Sequence, residues 1–140
     1  VFALPSGWLA DKVGRKRLVA LSGILATAGT VILLLSPTLN VIMIGGSIVG
    51  AGIGMFFATS WALGTDIVPK RAAGKFLGIS NLAGAGAGAV GAYIGGPIAD
   101  YFTIHFPQLP GLGYMVIFGI YAALFLISTI VLIKVPEPRI

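Results

Sequence analysis

Four long stretches of this sequence contain no charged residue, or only one near an end, and they restrict the folds that the chain can adopt. Of its 140 residues, 57% are hydrophobic and 9% are charged, whereas about 25% of residues are charged in a typical soluble domain. A chain so poor in charge cannot cover a globule with polar surface, so we expect an integral membrane protein. Within lipid, only helices and closed barrels satisfy every backbone polar group internally. Long apolar runs favour helices, because barrel strands would be alternating segments of about 10 residues.

The four stretches predict an all-α membrane protein with four transmembrane helices. Each stretch holds 19 to 26 residues, and at 1.5 Å per residue this is close to or above the roughly 30 Å of a hydrocarbon core. We expect Pro37 to end the first helix, because proline cannot continue it. The helices are placed at about 18–36, 41–64, 76–101 and 113–133.

Glycines recur at helical spacing in the second and third of these helices. Small residues three or four positions apart let helix backbones approach closely in lipid. We therefore expect these glycines to pack helices together, and we expect Gly95-Gly96-Pro97 to kink the third helix. The packing glycines are Gly46, Gly50 and Gly54 in the second helix and Gly84, Gly88, Gly91 and Gly95 in the third.

All nine Lys and Arg residues lie in three short segments, 7–17, 65–75 and 134–140. Four crossings would put these segments on one side of the membrane, and the positive-inside rule makes that side cytoplasmic. We expect the protein in the plasma (inner) membrane, with the lipid bilayer as a partner. In a soluble protein the net charge of +5 would suggest nucleic acid. Here the charges flank apolar spans, so we expect no nucleic-acid partner.

Residues for metal binding or acid–base catalysis are scarce. The chain has no cysteine, one histidine and four acids, so we expect no metal, no cofactor and no enzymatic activity. The candidates for substrate binding are instead polar or aromatic residues within the spans, namely Trp61, Asn81 and Tyr121. An indole can stack on a sugar or drug ring, and an amide can bond a hydroxyl. Alternatively, these side chains make interhelical hydrogen bonds or anchor the helices at the interface.

The segment 7–17 combines charges with glycines in the order G-x-x-x-D-K-x-G-R-K-R. With Lys or Arg allowed at its basic positions, this pattern resembles the signature loop of the major facilitator superfamily of transporters. In that family the loop joins the second and third helices and recurs between the eighth and ninth. Residues 66–74 are similar to a later loop of the family, D-x-x-P-x-x-x-x-G. The alternative, a generic basic loop, would need no fixed glycines. The matching positions are Gly7, Asp11, Lys12, Gly14, Arg15, Lys16 and Arg17.

The resemblance implies that the chain is part of a twelve-helix bundle whose two halves rock about a midplane site. It also implies a gate at the charged loop. Asp11 would face the amino end of a neighbouring helix, which favours an anion. Arg15 and Arg17 would pair with acids and latch the cytoplasmic side in the outward-facing state, and orientation in the membrane alone is the alternative role. The expected gating residues are Gly7, Asp11, Lys12, Gly14, Arg15, Arg17 and Asp66.

The resemblance does not decide which half of the bundle this chain represents. The sequence opens on Val1 without a Met, and we expect a fragment of a longer protein. The second helix lacks an intramembrane arginine and the chain stops soon after the fourth, which favours the carboxy-terminal half and helices nine to twelve. The completeness of the charged pattern favours the amino-terminal copy.

The implied activity is transport of a small solute by alternating access, as a secondary active transporter or a facilitator, with H⁺ or Na⁺ as candidate coupling ions. No charge lies deep in any span, and intramembrane charges commonly mark ion pathways. An uncharged solute such as a sugar or drug-like compound is therefore expected. The alternative is a non-transporting four-helix membrane protein with a structural or assembly role.

Overall fold

The computed structural model describes residues 12–36 and 38–135, which are helical apart from short turns. This part of the chain contains four long helices, and all four are long and apolar enough to cross a membrane. The all-α membrane class is thereby confirmed. The helices are α1 (Arg15–Leu34), α2 (Leu39–Ile67), α3 (Ala73–His105) and α4 (Leu112–Leu132), with a 3-10 turn at Lys70–Ala72 before α3.

The charged ends of α1 and α2 are more helical than the sequence predicted. α1 begins at Arg15 instead of residue 18, so three basic residues form its first turn rather than a loop. α2 continues to Ile67 instead of residue 64, which puts Asp66 in its last turn. The apolar pattern stops where the charged residues begin. The helical backbone continues beyond that point because charged side chains there contact groups on neighbouring helices.

α3 runs to His105 and contains Pro97 within the helix. The sequence predicts that this helix ends at about residue 101 and kinks at Pro97. A transmembrane helix tolerates proline where local adjustments satisfy the freed carbonyl, and α3 is helical on both sides of Pro97. The connection to α4 is correspondingly short and spans residues 106–111.

The chain divides into two compact units, one formed by residues 1–67 and 118–140 and the other by residues 68–117. In the first unit, α1 and α2 are antiparallel. Gly29 lies against Gly45, and the segment of α1 around Ala26 lies against Gly52. The buried positions of α2 include Gly45, Gly52 and Thr59, which recur every seven residues, as in pairs of helices that cross at a shallow left-handed angle.

The approach of these two helices is close enough to require glycine. A Cβ atom at Gly52 would lie 2.9 Å from the Ala26 nitrogen and 2.9 Å from the Ser22 oxygen. At Gly29 it would lie 2.8 Å from the Val49 nitrogen and 2.9 Å from the Gly45 oxygen. These neighbours are backbone atoms that cannot rotate away, so any larger residue would push the helices apart.

The carboxy-terminal part of α4 completes the first unit, with Thr129 against Gly23 of α1. Backbone contacts in this unit are concentrated between α1 and α2. An apolar cavity of about 340 Å³ is lined by residues of all three helices, including Val19 of α1, Phe56 of α2 and Leu132 of α4. α4 therefore packs against the α1–α2 pair less completely than α1 and α2 pack against each other.

The second unit contains the 3-10 turn, α3 and the start of α4. Its turn between the helices uses Gly111 with φ +86°, a left-handed conformation that glycine adopts without steric cost. Just beyond it, Gly113 lies against the backbone of Ala99 on α3. The turn and this close contact together reverse the chain between α3 and α4.

Candidate gating site

Arg15, in the first turn of α1, reaches the carboxy-terminal end of α2. Its guanidinium donates hydrogen bonds to the Asp66 Oδ2 at 2.6 Å and to the carbonyl oxygen of Ala62 at 2.9 Å. The two side chains of this ion pair are 28% and 35% exposed. The structure therefore brings together two residues of the expected gate that lie 51 positions apart in the sequence.

Lys16 makes a comparable contact with the end of α4. Its Nζ donates hydrogen bonds to the carbonyl oxygen of Val135 at 2.6 Å and to that of Ile133 at 3.1 Å. Lys16 is a position of the charged pattern, but the pattern predicts no role for it in the gate. A signal was present, because lysines commonly bond the last carbonyl groups of helices, but the sequence did not indicate which helix end lies nearby.

The electrostatics of this end of the unit explain why the basic residues can begin a helix. The first turn of α1 carries three cations and no acid, although the amino terminus of a helix has partial positive charge. Taken alone this arrangement is unfavourable. Arg15 contacts Asp66 and a carbonyl oxygen near the carboxy-terminal end of α2, and Lys16 contacts carbonyl oxygens just after α4, and these contacts offset the repulsion.

The glycine before α1 has a structural reason for its place in the charged pattern. Gly14 has φ +99°, and its carbonyl accepts the first hydrogen bond of the helix, from the Leu18 nitrogen at 3.2 Å. A side chain in this conformation would clash with the backbone. Gly14 therefore determines the direction of the chain at the start of α1, where Arg15 and Lys16 lie.

The remaining expected gating residues are less informative. Lys12 and Arg17 are exposed, and Asp66 pairs with Arg15. Gly7 and Asp11 lie outside the described residues. Among the described residues of the expected gate, the structure shows a contact between Arg15 and Asp66.

The expected substrate-binding residues occupy different regions. Trp61 is 43% exposed and lies near the Arg15 end of α2, about 9 Å along the helix from Ile67. Tyr121 lies near the middle of α4 and lines a second apolar cavity of about 330 Å³ with Thr30 and Ile53. Asn81 is exposed on α3, in the other unit. Tyr121 alone of the three lines a described cavity of the first unit.

The expected packing glycines do not form the close contact between α1 and α2. Among the described residues, nothing lies within 4 Å of a Cβ atom at Gly46, Gly50, Gly54, Gly84 or Gly88, and Gly91 and Gly95 are half-buried. The contact between α1 and α2 uses Gly29, Gly45 and Gly52 instead, because the face of α2 with a seven-residue repeat is the one turned toward α1. The expected packing role of the first set stays a prediction.

Acidic and histidine side chains are too dispersed for a metal centre in the part of the chain that the structure describes. There, no three of the His, Cys, Asp and Glu residues come together in a group that could hold a metal ion.

Comparison with known proteins assigns the family. The family model of the Major Facilitator Superfamily matches residues 1–140. The chain belongs to this superfamily. The resemblance found in the charged segment is thus confirmed over the full length of the sequence, and the four apolar helices are those of an integral membrane protein of this superfamily.

Several transporters of the superfamily are similar to this chain. The minor myo-inositol transporter IolF of Bacillus subtilis is 30% identical over 137 residues, which cover 98% of this chain and 30% of IolF. The galactose-proton symporter of Escherichia coli K12 is 28% identical over 101 residues, or 72% of this chain and 22% of the symporter. An uncharacterised MFS-type transporter of Mycobacterium tuberculosis is 29% identical over 103 residues, 74% of this chain and 15% of the relative.

The chain spans between 15% and 30% of the length of these relatives. No solved structure gives a significant match to it.

Proposed function

We propose that this chain is part of a secondary transporter or facilitator that moves a small solute across a membrane by alternating access. The observation that carries this proposal is the superfamily match over all 140 residues. Membership indicates a transporter rather than an enzyme. Alternating access in such proteins is a rocking of two halves around a central site.

The chain supplies helices nine to twelve of a twelve-helix bundle, in its carboxy-terminal half. Its remaining partners are then the other helices of the same transporter. Two sets of glycines give faces for those helices to contact, since nothing described lies within 4 Å of Cβ positions at Gly46, Gly50 and Gly54 on α2 or Gly84 and Gly88 on α3. Faces of small residues suit close helix contacts in lipid.

The pair of Arg15 and Asp66 acts as a latch of the gate. A latch has to open in every transport cycle, so its free energy must be small. The two side chains are 28% and 35% exposed, and ion pairs screened to this degree contribute up to about 1 kcal/mol. A pair of this strength biases one conformation without locking it. Gly7, Asp11, Lys12 and Arg17 belong to the same gate by their places in the charged pattern.

The transported solute is uncharged, and a sugar or another polyhydroxylated compound is favoured over a drug-like one. The names of two similar transporters support this class, since one is a myo-inositol transporter and the other a galactose-proton symporter. The four spans hold no charged residue away from their ends. Tyr121, Trp61 and Asn81 stay the candidates for solute contact, with Tyr121 best supported because it lines a cavity. H⁺ is the favoured coupling ion over Na⁺, by similarity to the symporter.

The charged ends of the helices face the cytoplasm of a cell with this protein in its plasma (inner) membrane. Arg15 and Lys16 at the start of α1 contact the last turn of α2 and the turn after α4, so these described helix ends of the first unit lie together. Positive residues accumulate on the cytoplasmic side of membrane proteins.

Solute counterflow by the full-length protein in proteoliposomes tests this function. Counterflow needs no ion gradient, so it detects exchange whichever ion is coupled. We expect exchange of radiolabelled myo-inositol or galactose and none of a neutral lipophilic drug. Exchange of the drug alone would replace the proposed solute class, and no exchange by correctly inserted protein would contradict transport of any neutral solute in the panel.

A further inference from the structure

The turn that follows α4 is bonded to another helix, α1. α4 ends at Leu132 and has no basic residue in its last turn. The next residues form a tighter turn, in which the Lys134 and Val135 nitrogens donate to Val131 and Leu132 at 3.0 Å each. This turn supplies partners for the last carbonyl groups of α4, which have none within the helix. The carbonyl oxygens of Ile133 and Val135, in the turn itself, accept hydrogen bonds from the ammonium of Lys16.

Packing alone holds this end of α4 weakly. Leu132 and Val135 line the apolar cavity of about 340 Å³, with Val19 of α1 and Ile53 of α2 among its other lining residues. Side chains that border an empty volume lack the dispersion contacts that would fix them. Thr129 of α4 lies against Gly23 of α1, about one turn before Ile133.

We propose that Lys16 is a positioning residue that fixes the end of α4 on α1 by bonding the carbonyl oxygens of the turn that follows it. Arg15, the adjacent residue, binds the end of α2, so the first turn of α1 holds two helix ends through two separate contacts. The two hydrogen bonds of Lys16 reach residues that lie 117 and 119 positions later in the sequence. Without it, the end of α4 moves into or away from the cavity while α1 and α2 stay packed. This role goes beyond the gate and does not depend on transport.

Hydrogen exchange followed by mass spectrometry, on the full-length protein in nanodiscs, tests the proposal without any substrate. The first variant is Lys16→Met, which keeps an unbranched apolar stem and removes the ammonium. We expect the amides of residues 131–135 to exchange about tenfold faster, as for the loss of a charge-assisted hydrogen bond at a locally opening helix end. The amides at the end of α2, residues 62–67, should keep their parent rate.

Three comparisons distinguish a specific cap from general damage. Arg17→Met removes a neighbouring exposed cation and should leave the end of α4 unchanged. Lys16→Arg keeps a cationic donor and should restore slow exchange. Asp66→Asn should speed exchange at the end of α2 alone. If Lys16→Met does not insert as folded protein, Lys16→Gln is measured under the same criteria.

The proposal is overturned if removal of the ammonium leaves exchange at residues 131–135 at the parent rate. It is also overturned if Arg17→Met accelerates that segment equally, if Lys16→Arg fails to slow it, or if Asp66→Asn accelerates both helix ends. The counterflow result does not enter these criteria, so failure of the transport proposal and failure of this one are separate findings.

Discussion

The two contacts that α1 makes within the first unit differ in what holds them. Against α2, α1 packs backbone to backbone at Gly29, Gly45 and Gly52, and the Arg15–Asp66 pair adds to an interface that is already close. Against α4, a cavity of about 340 Å³ interrupts the packing, and Lys16 bonds the end of the helix. A polar contact beside tight packing can open without loss of the fold. A polar contact beside a cavity determines where the helix lies, because packing there does not.

Replacing Gly52 by alanine should have the largest effect on stability, because it disrupts the close packing of α1 against α2. The added Cβ would lie 2.9 Å from two backbone atoms of α1, and overpacking of this kind costs about 1–3 kcal/mol. We expect a lower midpoint in the thermal unfolding of the purified full-length protein.

Gly64→Ala is the matched control on the same helix, with nothing described within 4 Å of the new Cβ. We expect it to be neutral or to stabilise the helix by up to about 1 kcal/mol, the gain for removing glycine from a helix interior. Equal losses at Gly64 and Gly52 would contradict the assignment of the packed face.

Gly14→Ala should have the next largest effect, because it changes how both basic residues enter α1. Gly14 has φ +99° and ψ 130°, a sparsely populated backbone region that costs an alanine about 1–3 kcal/mol. We expect reduced thermal stability together with faster hydrogen exchange at the ends of both α2 and α4. Gly74→Ala, with open space around the new Cβ, is the control, and a similar loss there would argue against a special role for Gly14.

Asp66→Asn should have the smallest effect on stability, although it removes the ion pair. The pair is partly exposed, which limits its contribution to about 1 kcal/mol or less, and the close packing of α1 on α2 remains. We expect the thermal midpoint to change less than in Gly52→Ala. A larger drop would mean that the ion pair, and not the glycine contact, holds these helices together.

Much of the fold follows from the sequence, because uncharged runs in lipid leave few choices. The four helices lie within four residues of their predicted ends. The helical first turn of α1 could not be predicted, since three cations at a helix amino terminus are locally unfavourable. The carbonyl groups that offset them belong to residues 47 to 119 positions away, and only the folded arrangement brings these together.

The packed face of α2 shows a second limit of the sequence. Gly46, Gly50 and Gly54 repeat every four residues, whereas Gly45, Gly52 and Thr59 repeat every seven, and both patterns suit helix packing. The choice depends on the partner helix, and α1 presents its small residues Ser22, Ala26 and Gly29 to the second set. By contrast, the family resemblance named Arg15, Arg17 and Asp66 as gating residues without deciding which arginine pairs with which acid, and the structure shows Arg15 in contact with Asp66.

The most direct test of the latch is a charge swap measured by counterflow with the full-length protein at matched membrane abundance. Asp66→Arg and Arg15→Asp each place like charges together, and each should slow exchange about fivefold or more, as for the loss of about 1 kcal/mol. The double variant restores the ion pair in reverse and should recover most of the rate. If the double variant is as slow as the single variants, or if the single variants exchange solute normally, the Arg15–Asp66 pair is not the latch.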